Sequence, residues 1–187
     1  MNYQELRDAI YSRKPRYSAK YKPLMERIST KGDATGKGGF STFGAFYQTF
    51  MYAYIIGLRL GKKTPLPTNE QKIEFAPIGK WKPAPIRDFI IITLFNRSEK
   101  FDGYQWSWLY LANSSKENVD NFVTALVREM EGYANTGLEY LQKKWDEEKT
   151  TLFSLPSVFV DILEDLSEET ANEEAEKNEE RYEKKDE

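Results

Sequence analysis

The segment from Phe43 to Pro65 constrains this chain more than any other stretch of it. Phe43, Phe46, Phe50, Ala53 or Tyr54, and Gly57 follow at three- and four-residue steps, with Leu60 after them. That spacing lines one face of an α-helix. Ser41 or Thr42 stands where a helix cap is needed. Gly61 supplies a stop, Lys62 and Lys63 complement the negative end of the helix dipole, and Pro65 prevents continuation. Apolar residues surround much of this helix, so it is expected at the centre of a core rather than on a surface.

The remaining segments supply elements to pack against it. Asn2 to Arg13 predicts a short helix with Tyr3, Leu6 and Ile10 on one side, stopped by Pro15. Arg13 to Pro23 is a basic, tyrosine-rich connector, and Pro23 opens a second short helix carrying Leu24, Met25 and Ile28. A glycine-rich loop covers residues 30–39. Residues 64–86 hold five prolines and predict an extended, irregular connector. Phe89 to Phe95 (FIIITLF) has the composition of a buried strand but helical surroundings. Helix is the expectation, because no second convincing strand exists to pair with it. Ser114 or Ser115 caps a helix from Lys116 with Val119, Phe122, Val123, Leu126, Val127 and Met130 inward. The pattern continues through Leu138, Leu141 and Trp145, either unbroken or interrupted at Gly132 or Gly137. Pro156 opens a last helix with Val158, Phe159, Ile162, Leu163 and Leu166 on its apolar face. The expected fold is therefore all-α: one compact multi-helix domain over residues 1–166 around the aromatic-rich helix. An acidic C-terminal tail over 167–187 follows, disordered or a solvated helix, since ten of the last twenty residues are acidic.

With 12 Tyr, 11 Phe and 4 Trp, such a core has ample apolar area to bury. The absence of Cys and His excludes disulfides, thiolate metal sites, imidazole acid–base chemistry and Ser-His-Asp triads. Any catalysis would fall to carboxylates, Lys, Tyr, Ser or Thr. The carboxylates Asp161, Glu164 and Asp165 lie close together on the last helix, but opposite its apolar face, and are accounted for as a solvated face. The chain is expected not to be an enzyme and to need no cofactor or metal. Its first residues, MNYQELRDAI, do not form a secretory signal, and Phe40 to Leu60 falls short of a membrane span. A cytoplasmic protein without membrane contact is expected.

Net charge is −3, unevenly placed: residues 1–100 hold 18 Lys/Arg against 8 Asp/Glu, whereas residues 101–187 hold 9 against 22. A basic half suits a polyanion, although folding can also bring the halves together and cancel the field. Tyr11, Arg13, Lys14, Arg16, Tyr17, Lys20, Tyr21 and Lys22 interleave cations with aromatic rings, the combination that neutralises phosphates and stacks on bases. Lys31 and Lys37, in the glycine-rich loop, extend the patch. That loop lacks the spacing and Ser/Thr of a nucleotide-binding P-loop. Trp81, in a proline-rich stretch, and Trp106 and Trp108 are candidates for docking a protein partner.

Two blocks carry a resemblance. Residues 43–66 begin Phe43-Gly44-Ala45-Phe46 and end Gly61-Lys62-Lys63-Thr64-Pro65-Leu66; residues 131–141 read EGYANTGLEYL. Together they resemble small helical proteins associated with bacterial DNA phosphorothioation (Dnd-type) defence systems. That group has an aromatic-rich helix ending in Gly, basic residues and Pro, then a later EEYANGG helix. Thr136 stands where that pattern has the first of two glycines. The resemblance implies a non-catalytic accessory component of a genome-defence or DNA-processing assembly, acting through DNA or through a partner protein of the assembly. A protein–protein adaptor without a nucleic-acid role is the alternative reading.

Overall fold

A computed structural model describes residues 3–29, 43–97, 107–148 and 157–168. Within them the chain is mostly helical, with one small two-stranded sheet. The organising pair is α3 (Phe46–Arg59) against α6 (Lys116–Glu148). At 1.5 Å per residue, α6 is about 50 Å long, and it runs unbroken through Gly132 and Gly137. No break occurs at either glycine, and Gly137 serves packing. A Cβ on Gly137 would lie 1.8 Å from the Ala53 carbonyl oxygen, and one on Gly57 would lie 1.9 Å from that of Tyr133. The two backbones thus touch where no side chain intervenes, with Ala53 and Ala134 buried beside the contact.

Helix α3 starts later than its apolar spacing predicts. Phe43 is pulled into the core, and its N–H donates to the Ile28 carbonyl, 3.2 Å. Gly44 then takes φ +69°, a left-handed turn that interrupts helical geometry. The helix begins after Ala45, whose N–H is accepted by the Gln48 side-chain oxygen at 2.7 Å. Ser41 and Thr42 lie outside the described residues. The end of the helix is as expected, with Gly61 at φ +63°.

Around this pair pack α1 (Tyr3–Tyr11), α2 (Lys22–Ile28) and α4 (Ala84–Arg97). The α1 helix buries Leu6 and Ile10, and α2 buries Leu24, Met25 and Ile28. Tyr3 departs from the expected face and stays exposed. The Phe89–Phe95 stretch is helical, inside α4, with Ile90 and Leu94 buried. Residues 158–168 form α7, with Val158, Ile162 and Leu166 buried and Phe159 packed against Tyr52 at 4.4 Å. A short α5 (Trp108–Ala112) precedes α6, which Ser115 caps by accepting the Asn118 N–H.

The all-α expectation needs one addition. Within the connectors, β1 (Arg16–Ser18) pairs antiparallel with β2 (Lys72–Glu74) in the register Arg16 to Glu74, Tyr17 to Ile73 and Ser18 to Lys72. The pairing clamps the two connectors together. Inward-facing Tyr17 stacks on Phe75, ring centroids 4.8 Å apart, and Phe75 meets Phe50 and Trp81. No helix among the described residues is long and apolar enough to cross a membrane.

Candidate nucleic-acid interface

Asp120, Thr124, Arg128 and Glu131 follow at four- and three-residue steps and so share one face of α6. The connector after α1 is tied across that face. Arg13 pairs with Asp120. Arg16 is held by Glu131 through three hydrogen bonds: its backbone N–H at 2.9 Å and its guanidinium at 3.1 and 3.3 Å. The Glu131 side chain is only 4% exposed. The hydrogen bonds and charge of Glu131 raise the Arg16 pKa above its ordinary value. This pair works as a strut rather than as a free cation.

Between connector and helix lies a cleft of about 430 Å³, lined by Arg13, Lys14, Arg16 and Arg128 with Glu74 and Glu131. Cations outnumber carboxylates on its walls. Arg16 is held by Glu131, but Lys14 meets Glu74 only at 4.0 Å, both of the latter side chains more than half exposed. Such a pair is worth about 0–1 kcal/mol and yields readily to a stronger anion. Arg13 pairs with the well-exposed Asp120. Arg128 is exposed and makes no ion pair among the described residues. The cleft therefore offers Arg13, Lys14 and Arg128 to an anion. Arg128 escaped sequence reasoning because it sits alone in the acidic half, 112 positions from Arg16 in sequence. Its spacing from Asp120 and Thr124 was the available signal.

The other residues expected at this site separate into groups. Lys20 lies 4.0 Å from Glu70 and over the Tyr21 ring, while Lys22 is exposed at the start of α2; neither lines the cleft. Tyr17 and Tyr21 are buried, 2% and 4% exposed, so their rings face the core and are not presented for base stacking. Burial raises both hydroxyl pKa values, that of Tyr21 to about 12. Tyr11 turns away to hydrogen-bond Asp88. Lys31, Lys37 and the rest of the glycine-rich loop lie outside the described residues.

The expected docking role of Trp81 is corrected by its burial. It is fully enclosed, donates its indole N–H to the Ala76 carbonyl at 2.8 Å, and packs on Phe50 and Tyr47. The proline-rich stretch folds back over the core, and a ring of this size buries more apolar area inside it than at its edge. Trp106 and the side chain of Trp108 lie outside the described residues. Asp161 accepts a hydrogen bond from Ser157, and Asp165 lies 3.5 Å from Lys144. No cluster of three metal-ligating side chains occurs among the described residues. Comparison of the chain with protein-family models, curated proteins and solved structures gives no match.

Proposed function

We propose that the chain is a non-catalytic accessory component of a bacterial genome-defence or DNA-processing assembly, contacting the phosphate backbone of nucleic acid through Arg13, Lys14 and Arg128. The observation that carries this reading is the cleft: three cations from two distant parts of the chain converge on one concavity, Arg13 paired with the exposed Asp120, Lys14 only loosely with Glu74, and Arg128 in no ion pair among the described residues. Phosphate is the anion that repeats along a polymer and rewards such a row. The buried tyrosines leave electrostatic contact rather than stacking as the source of affinity. The assignment to defence or DNA processing rests on the resemblance of residues 43–66 and 131–141.

Fluorescence anisotropy of a labelled duplex and its single strand, titrated at several salt concentrations, tests this directly. Affinity is expected to fall steeply with salt. Replacing Arg13, Lys14 and Arg128 together by Ala should reduce the slope of log K against log salt by about 2–3, at roughly 0.7–0.9 per lost contact. Unchanged binding by the triple variant removes the assigned site, and no binding at low salt removes the reading.

The adaptor reading has its own supporting observation, the apolar outer face of α4, where Phe89 and Ile92 are exposed. It expects a protein complex that survives nuclease treatment.

A further inference from the structure

The chain carries a polyanion of its own. Residues 169–187 follow α7 and lie outside the described residues; they hold nine Asp/Glu against four Lys/Arg. The acids are densest over residues 173–180, where Glu173, Glu174, Glu176, Glu179 and Glu180 stand against the single Lys177. Ala171, Ala175 and Tyr182 are the only apolar residues in the segment. Charge, not apolar area, is what it offers to a surface.

The cleft between the connector after α1 and α6 offers the opposite charge. Its walls carry Arg13, Lys14, Arg16 and Arg128 against Glu74 and Glu131, a net positive lining. Lys14 meets Glu74 only at 4.0 Å, and Arg128 makes no ion pair among the described residues. Carboxylates arriving from elsewhere in the chain therefore meet two cations that no close partner holds.

Chain length brings the two together. Arg59, the last residue of α3, donates to Ser167 Oγ at 3.0 Å, so α7 ends beside the end of α3. That end of α3 crosses α6 at Tyr133, where Gly57 meets the Tyr133 carbonyl. Glu131 of the cleft lies only two residues along α6 from this crossing. From Glu168 the nineteen residues that follow span up to about 60 Å when extended, more than the length of α6.

We infer that the acidic run 173–180 occupies the cationic cleft of the same chain when no other anion is bound, so that nucleic acid must displace it. Tethering presents the run at an effective concentration of the order of mM, which populates a contact too weak to hold between separate molecules. The contact is electrostatic and exposed, so salt releases it. The inference rests on the cleft being an anion site, as proposed above, but not on that anion being nucleic acid.

Lys14 is the one amine on the cleft wall among the described residues, which gives a direct readout. A zero-length carbodiimide joins a carboxylate to an amine only where the two meet. The full chain, treated at low micromolar concentration and low salt and mapped by mass spectrometry, should show bonds from Lys14 to acids between Glu173 and Glu180 in the monomer. They should disappear at about 0.5 M salt. Lys22 and Lys82, exposed but off the cleft, should show few. Changing Glu173, Glu174, Glu176, Glu179 and Glu180 to Gln in the full chain should raise affinity for a labelled duplex at least about threefold at low salt, with no gain at high salt. Bonds spread evenly over Lys14, Lys22 and Lys82 overturn the inference, as does a Lys14 that joins only Glu74. A Lys14 bond confined to a cross-linked dimer overturns it too, because the acids then come from another copy. So does a measurable duplex affinity that the five substitutions leave unchanged. If neither protein binds the duplex while the Lys14 bonds form, the nucleic-acid reading falls and the intramolecular contact stands.

Discussion

The hydroxyl of Tyr54 shows how burial of one polar group sets a pH limit on the fold. Its ring is enclosed between α3 and α4, and the hydroxyl meets Thr93 at 2.9 Å. Burial raises its pKa to about 12, with the hydrogen bond to Thr93 pulling the other way. In the unfolded chain the same phenol ionises near 10. Below that value both states hold the proton, and stability does not depend on this group. As pH rises from about 10 towards 12, the unfolded state releases the proton while the folded state retains it. The folded state then loses up to about 1.4 kcal/mol per pH unit for each such tyrosine. Tyr21, raised to about 12 by burial and by the charges of Glu139 and Glu70, adds in the same direction. Urea midpoints should hold level up to about pH 9.5 and then fall. Tyr54→Phe should reduce that slope by close to one proton; an unaltered slope would show that other groups govern alkaline unfolding.

The glycines of α6 separate two roles that look identical in sequence. Gly137→Ala puts a methyl group against the Ala53 backbone, which has no rotamer to yield. The gain of about 1 kcal/mol in helix propensity is outweighed by forcing α3 and α6 apart, a net loss of about 2 kcal/mol or more. Gly132→Ala meets chiefly Lys63 Cγ at 3.0 Å, a side chain that yields more readily than backbone although its Nζ is paired with Glu129, so the helix-propensity gain of up to about 1 kcal/mol is largely offset and the net effect should lie near zero. Denaturant melts of the two variants check the ordering, and equal effects would contradict the close crossing. This distinction explains which elements were legible beforehand. Leu6 and Ile10, the α2 triplet, and Val158, Ile162 and Leu166 repeat at helical spacing, and all are buried. The start of α3 was misplaced because Phe43 keeps the apolar period while Gly44 breaks the backbone. Strands of three residues are too short to show alternation, so Tyr17 was indistinguishable from an exposed ring. Trp81 fits both a surface anchor and a core residue until the partners of its loop are known.

At the scale of the whole molecule, the charge asymmetry is partly used within the fold. Arg13, Arg16 and Lys63 from the basic half pair with Asp120, Glu131 and Glu129, all on α6. The sequence could name the basic residues but not which of them these acids would engage, since the partners lie 66 to 115 positions apart. Glu131 tests how the two uses of charge compete. It anchors β1 through Arg16 and is also the buried carboxylate in the cationic cleft. Glu131→Gln preserves the shape but removes the charge that holds Arg16. Because Arg16 is 42% exposed and regains solvation, the cost is set at about 2 kcal/mol, within the range for hydrogen bonds to charged groups. For a domain of this size that lowers Tm by about 4–8 °C. Removing the same charge should strengthen nucleic-acid binding at low salt, because Arg16 joins Arg13, Lys14 and Arg128 as an available cation. The two readouts should therefore move in opposite directions, stability down and affinity up. A variant that loses stability without gaining affinity would show that Glu131 acts only as a strut and that no anion occupies the cleft beside it.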